Sequence, residues 1–304
     1  MKNNNAYHIP VMLQECLDGL QIRPDGVYVD VTFGGGGHSR AIYEQLNENG
    51  KLIVFDQDPD ARKNAWEASN FYFVAANFAY IQNHLRMLGI KQVDGILADL
   101  GVSSHQFDEG SRGFSIREDA ELDMRMNQNG DLTAKKVVNT YEEDDLFRVF
   151  RSYGEIQNTA KLVRTILKER NAAPITTTGR LAEIGASCAP KFKENKYNAQ
   201  VFQAIRIEVN DEMGVLESFL KATEEVLAPE GRLVVMSYHS LEDRMVKNFM
   251  KRGSLTGEIT KDFFGNVIKP FTEIVRHPIT AGDEEIEKNN RARSAKLRIA
   301  ERNG

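Results

Sequence analysis

The chemistry in this chain starts with four consecutive glycines, Gly34 to Gly37, in the stretch VYVDVTFGGGGHS from Val27 to Ser39. Glycine has no Cβ, so a strand that enters a helix through glycines lets bare backbone approach a ligand. Four in a row are costly in conformational entropy, which makes a plain turn a poor reason for them. Asp56 follows 19 residues after Gly37, at the end of the next apolar run. An acid there can accept hydrogen bonds from both hydroxyls of a ribose. Asp99 closes a further run in DGILADLGVSS and reaches the same sheet edge. Asn77-Phe78 follows the strand between them, where an aromatic ring can stack on a purine. His239, in SYHSLEDR, has two readings that spacing leaves open: a general base or a hydrogen-bonded structural histidine.

The loop narrows the ligand. A dinucleotide fingerprint needs G-x-G-x-x-G, and position 39 is Ser instead of the third glycine. A phosphate-cradling loop needs G-K-[ST], and Gly37 is followed by His38. S-adenosylmethionine carries a ribose but no phosphate. Its amino-acid tail needs close backbone approach, which Asp30, Thr32 and the glycines suit. The six histidines share no metal-ligand spacing, and Cys16 and Cys188 are isolated, so no metal is expected.

The elements that must position these residues alternate. Strands are expected at Val27–Val31, Lys51–Phe55, Phe71–Ala75 and Val93–Ala98, and helices at Ser39–Leu46, Asp60–Ala68 and Ile81–Leu88. That alternation predicts a doubly wound, mostly parallel α/β sheet. From about Leu132 to Ala199 only helical signals occur, with Ile156, Ala160, Val163 and Leu167 on one predicted face. Val209, Met213, Leu216, Leu220 and Leu227 mark one long helix, and Arg232–Ser237 a strand. Ser240 with Asp243 reads as a capping box for a helix with core face Leu241, Met245 and Phe249, and Ala295–Ala300 as a late strand. The expected layout is a core of residues 1–110 and 203–304 with a helical insertion, 111–202. The polar segment from Gly110 to Met126 is expected to form a lid.

The 304 residues are 41% hydrophobic and 27% charged, the balance of a soluble globular protein. No apolar run approaches the roughly 20 residues of a membrane helix, and the start MKNNNAYHIPVM has no apolar signal region. A cytoplasmic location is expected. The net charge of −5 does not point to nucleic acid, but its distribution does. Lys161 to Arg206 holds nine Lys/Arg against three Glu, and Glu287 to Arg302 six against two.

Eight ordered motifs carry a family resemblance: HIPVML, DVTFGGGGHS, DGILADLGVSSHQFD, RGFS, LDMRM, VFQAIRIEVNDE, SYHSLEDR and NNRARSAKLRIAER. Together, from about His8 to Arg302, they closely resemble the bacterial 16S ribosomal RNA (cytosine N4)-methyltransferase family, the RsmH or MraW type. The resemblance implies a class I S-adenosylmethionine-dependent methyltransferase (Rossmann-like) with an inserted all-helical substrate-recognition domain. It implies a cytidine of the decoding region of 16S ribosomal RNA as substrate, met within the small ribosomal subunit, with no membrane and no metal. A homo-oligomer stays open. Carried over by position, cofactor contacts fall on Gly36, Gly37, His38, Asp56, Phe78, Asp99 and Gln106. This chain reads SSHQ where many relatives read SSPQ, and it lacks the Pro/Gly-rich insert that some carry after Phe249.

The exocyclic N4 of cytosine is a weak nucleophile, because its lone pair is delocalised into the ring. DNA amino-methyltransferases answer with a [DNS]-P-P-[YF] segment after the fourth strand, where this chain has Asp99-Leu100-Gly101-Val102. Asp99 and His239 are therefore the expected catalytic pair, Asp99 or a neighbouring carbonyl accepting from N4 and His239 orienting the base or removing its proton. The competing readings are a methyltransferase for another RNA or a small molecule, a nicotinamide-dependent dehydrogenase, and a non-catalytic RNA-binding factor with a relic pocket.

Overall fold

The structure is a computed structural model and describes residues 10–102, 112–116 and 118–304. It divides into two compact units, residues 1–101 with 214–304, and residues 102–213. The expected seams at 110/111 and 202/203 fall elsewhere. Phe202 sits inside the unbroken helix Glu194–Asn210, and the chain turns only at Asp211, which takes φ +47. The single long helix expected through Val209 and Leu227 is thus two, the second running Glu212–Val226.

The first unit is a seven-stranded sheet in the order β3-β2-β1-β4-β5-β7-β6. Its strands are β1 Val27–Asp30, β2 Lys51–Phe55, β3 Phe71–Val74, β4 Val93–Asp99, β5 Leu227–Ser237, β6 Phe271–Glu273 and β7 Lys296–Arg302. The first five pair in parallel. β7 runs antiparallel between β5 and β6, with Val234 opposite Ile299. Parallel strands covered on both faces read as continuous apolar runs, which is why β2 and β4 were visible in the sequence. Register sets Val29 beside both Ile53 and Ile96 at the centre. One face packs Tyr28, Leu52, Val54, Leu97, Val234 and Met236 against Met12, Cys16 and Leu20 of the helix region Leu13–Leu20. Phe55 points to the other face, edge-on to His84 of the helix Ile81–Met87 at 5.8 Å.

Local chemistry explains where the expected helices differ. The helix over Asp60–Ala68 shrinks to a single 3-10 turn, Ala61–Asn64, because Ala65 is already extended at ψ 147. The helix after the glycines is Gly37–Tyr43, starting two residues early on the left-handed Gly36. The late helix is Ser240–Arg252, capped by His239 and Glu242 instead of Ser240 and Asp243. Its buried face shifts accordingly, to Glu242, Val246, Phe249 and Met250.

The second unit is helical throughout its core: Ala134–Thr140, Glu143–Ser152, Thr159–Ala172, Thr178–Cys188 and Glu194–Asn210. Leu146, Phe150, Leu162, Ile166, Leu181, Val201 and Ile205 are buried together. The helix Thr159–Ala172 buries Thr159, Leu162, Val163 and Ile166, so its inner face is rotated from the expected Ala160 and Leu167. The described part of the segment expected as a lid is bound into the helical unit. Leu122 and Met124 are buried, Leu122 N–H donates to Thr176 O (3.0 Å), and Glu121 pairs with Thr177. Leu122 and Met124 belong to the core of the helical unit.

Leu97 is fully buried in β4 at the centre of the sheet. Leu97→Ala is expected to destabilise the first unit by about 2–5 kcal/mol, read as a lowered midpoint of urea unfolding followed by circular dichroism.

Candidate functional site

Because β1, β2, β4 and β5 are parallel, their carboxyl ends meet at one edge of the first unit. A single buried carboxylate organises that edge. Asp30 ends β1 with 1% of its surface exposed. Its Oδ1 accepts from the Thr32 N–H (3.0 Å) and hydroxyl (3.4 Å), and its Oδ2 from the Ser39 hydroxyl (2.6 Å). Asp30 therefore fixes both ends of the glycine loop and turns inward. Thr32 Oγ1 in turn accepts the Asp99 N–H at 2.7 Å, which links the loop to β4. Phe33 N–H donates to Phe55 O (3.0 Å), which links it to β2.

The glycines do different jobs. Gly34 and Gly36 take φ +50 and +77, the left-handed region that favours glycine. A Cβ on Gly36 would press the Phe33 ring at 3.0 Å, and one on Gly37 would sit 2.4 Å from Pro10 Cγ, so both are packing positions. A Cβ on Gly35 would meet nothing within 4 Å. The open face of the loop is at Gly35, a residue that motif matching passed over. Gly37 starts a helix, whose first N–H groups have no intrahelical partner, whereas the Gly36 N–H already donates to Phe33 O (2.7 Å). Asn64 Nδ2 holds Gly34 O from outside (3.0 Å).

Asp56 stands at the end of β2, partly exposed, and accepts one N–H on each oxygen, Gly34 on Oδ2 and Asp58 on Oδ1, both at 2.8 Å. Burial pushes its pKa up to about 6 against those two hydrogen bonds, with Asp58 and Asp30 adding repulsion. Each oxygen keeps a further lone pair for a hydroxyl donor. Phe78 lies past β3 on a 3-10 turn capped by Asn77, its ring edge-on to Phe219 at 5.3 Å and partly exposed. Asn77 Nδ2 also donates to Gln57 Oε1 (3.0 Å), which ties the loops after β2 and β3.

Asp99 is the most constrained group. Its Oδ1 accepts the Tyr238 hydroxyl at 2.7 Å, and its Oδ2 lies 3.7 Å from His38 Nδ1. Burial raises its pKa to about 6, although the His38 ring and the Tyr238 hydroxyl pull it down. The same surroundings push the Tyr238 phenol far up, so it stays a donor. His38 Nε2 meets Val11 O at 3.0 Å, an arrangement that puts the proton on Nε2 and turns Nδ1 toward Asp99. The His38 ring thus buttresses Asp99 rather than facing the loop opening. A quarter of the Asp99 side chain is open to solvent.

His239 is structural in this arrangement. It is the N-cap of the helix Ser240–Arg252, with Nδ1 accepting from the Glu242 N–H (3.4 Å) and Nε2 at 3.1 Å from Glu242 Oε1. Only 6% of its side chain is exposed. Glu242 Oε2 accepts from the N–H groups of Tyr238 (2.8 Å) and His239 (3.3 Å). Tyr238 itself went unassigned at the sequence level; its place one residue past a strand end was the available signal. Gln106 lies outside the described residues.

The residues brought together are an open glycine backbone, a carboxylate able to take two hydroxyls, and a second carboxylate held by a phenol with an imidazole beside it. These fit S-adenosylmethionine: backbone without side chains for the tail and Asp56 for the ribose. The chain matches the MraW methylase family over residues 5–303. It is 57% identical to Ribosomal RNA small subunit methyltransferase H of Flavobacterium johnsoniae, over 99% of this chain and 100% of that protein. It is 54% identical to the protein of the same name from Bacteroides thetaiotaomicron, over 99% of each chain. Among the described residues no helix is long and apolar enough to cross a membrane.

Asp56 gives a pH signature. Its folded pKa of about 6 exceeds that of a free carboxyl, about 4. The folded chain then holds a proton that the unfolded chain has released. The associated stability is whole below about pH 4 and is lost as pH rises through about 6. Relative to Asp56→Asn, the wild type is expected to lose stability between about pH 4 and 7 in urea titrations. A difference that stays flat across that range would contradict the assignment.

Proposed function

We propose, from the premise that the chain belongs to the MraW methylase family, that it methylates the N4 amino group of a cytidine in the decoding region of 16S ribosomal RNA. It is an S-adenosylmethionine-dependent methyltransferase with an RNA substrate. When bound, the cofactor supplies a methyl group on a sulfonium, ready for in-line displacement. In this reading Asp56 holds the ribose hydroxyls, Phe78 lies against adenine, the open backbone at Gly35 and the N–H groups of Gly37 and His38 receive the amino-acid tail, and Gly36 shapes the loop. Gln106 keeps the cofactor role that its motif implies.

The observation that carries the reading is the Asp99 carboxylate, held by Tyr238 at the same strand edge as Asp56 and the loop. A cytosine amino group becomes nucleophilic when an acceptor takes hydrogen bonds from its protons and localises the nitrogen lone pair. Asp99 is such an acceptor. With a pKa of about 6 it is ionised at neutral pH and still basic enough to take a proton. Tyr238 fixes one of its oxygens, and His38 Nδ1 lies 3.7 Å from the other. His239 acts through Glu242, which holds the Tyr238 backbone, and so is a positioning residue. The target base must leave its stack to reach this edge, which is least costly in unpaired RNA. The cations between Lys161 and Lys196, and the exposed Arg293, suit contact with the RNA backbone, whereas Arg298 is buried on Asp243 and Arg206 is paired with Glu212.

Mass spectrometry of small-subunit RNA from cells with and without the protein is the deciding measurement. N4-methylation of one decoding-region cytidine is expected to disappear without it; an unchanged RNA would end this reading, and loss elsewhere would transfer it to another RNA. Asp99→Ala is expected to lower methyl transfer to small subunits about 10²–10⁴-fold with little change in cofactor affinity. Asp56→Ala is expected to act first on cofactor affinity, by calorimetry.

A further inference from the structure

The site at the strand edge makes no use of the arm that follows the helix Ser240–Arg252. This arm is fastened at its root. Gly253 takes φ +67, and a Cβ there would lie 3.0 Å from Ile268 O and Lys269 Cα. Arg252 Nη1 donates to Gly257 O (2.6 Å), and Asn248 Nδ2 to Leu255 O (3.4 Å). Lys261 and Val267 pair across an antiparallel hairpin, and Ile268 N–H donates to Thr260 O (2.9 Å).

The hairpin tip is fixed as firmly. Asp262 Oδ1 accepts from the N–H groups of Phe264 and Asn266 (2.9 Å each), and its Oδ2 from Asn266 Nδ2 (3.0 Å). Asp262 N–H donates to Asn266 O, and Gly265 turns the chain at φ +88. This ordered turn holds Phe263 97% and Phe264 86% exposed, their rings edge to face at 5.6 Å and 86°. Two adjacent aromatic rings left in water by a hydrogen-bonded turn make a contiguous apolar patch, the kind that marks a binding surface. The edge-to-face pose leaves ring faces uncovered. Between Lys247 and Lys269 there are five Lys/Arg against Glu258 and Asp262; Asp262 is taken up by the turn and Arg252 by Gly257 O, which leaves four lysines in this stretch against Glu258.

Aromatic faces in a cationic setting are what unpaired nucleobases stack on, whatever their sequence. We propose that Phe263 and Phe264 form a stacking platform for unpaired bases of the substrate RNA. The proposal rests on the RNA-methyltransferase reading above and adds a contact point that the strand edge does not supply.

The test uses the full chain with both phenylalanines changed to Ala, Leu or Trp, and a fluorescein-labelled single-stranded oligoribonucleotide of the decoding-region sequence, read by anisotropy. The Ala pair is expected to bind at least about fivefold more weakly, roughly the loss of one stacked base. The Leu pair is expected to fail equally and the Trp pair to restore binding. Melting temperature and cofactor affinity are expected to be unchanged in all three, because the rings touch little of the fold. Wild-type affinity in the Ala pair overturns the proposal, as does no binding by the wild type. Rescue by Leu also overturns it, pointing to apolar docking on protein or lipid. So does a wild-type dimer in sedimentation that the Ala pair abolishes. If the wild type methylates small subunits and the Ala pair is indistinguishable, the platform alone falls; if the wild type methylates no ribosomal RNA, the functional reading falls first.

Discussion

The burial of Asp30 is the constraint from which the rest of the strand edge follows. A carboxylate taken out of water must be met by donors, and here all of them come from the loop it anchors: Thr32 and Ser39. That requirement fixes where β1 stops, how the glycines turn and where the helix Gly37–Tyr43 begins. Thr32 passes the constraint on, because the hydroxyl that reaches Asp30 also accepts the Asp99 N–H. Gly34 passes it to Asp56. Three acids at three strand ends are thus one connected hydrogen-bonded system, and only the first is spent entirely on structure.

The other two are held with their pKa values near 6. Burial without a full cationic partner is unfavourable to a carboxylate, so the fold gives up stability at neutral pH to keep them in place. Strain of this kind is usual where groups must be ready to receive something: Asp56 hydroxyl protons, Asp99 amino protons in the proposed reaction. Arg298 with Asp243 shows the contrast. There a guanidinium at 2.7 Å, joined by Lys296, holds the carboxyl below its ordinary range, and the group serves the fold alone.

The strands and their order of appearance were legible because parallel strands are apolar on both faces, a pattern that survives without knowledge of partners. Asp56 and Asp99 were legible as the acids that terminate those runs. Helices were read less well wherever a side chain outside the pattern decided the cap. His239 replaced Ser240 as the cap because Glu242, not Asp243, reaches back to the backbone. Asp211 split one expected helix by entering the left-handed region. The segment before Met126 looked like a cover by composition, but long-range hydrogen bonds to Thr176 and Thr178 bind it into the helical unit. Gly35 differs from its neighbours only in what surrounds it, and a run of four identical residues cannot carry that information.

Tyr238 and His239 show how a single strand end can divide its work. Alternation at the end of β5 sends adjacent side chains to different surroundings: the phenol to Asp99, the imidazole to its own helix. The His239 imidazole caps its helix through Nδ1, and its Nε2 lies 3.1 Å from Glu242 Oε1. A phenol whose pKa is forced upward cannot accept a proton, but it is a dependable donor. The Tyr238 hydroxyl makes the position of Asp99 more definite by donating to its Oδ1. A carboxylate with one oxygen pinned by a phenol and the other facing an imidazole has a fixed plane and a fixed free lone pair. In-line transfer demands that geometry of the acceptor, because the lone pair on the attacking nitrogen is useful only if it is aimed.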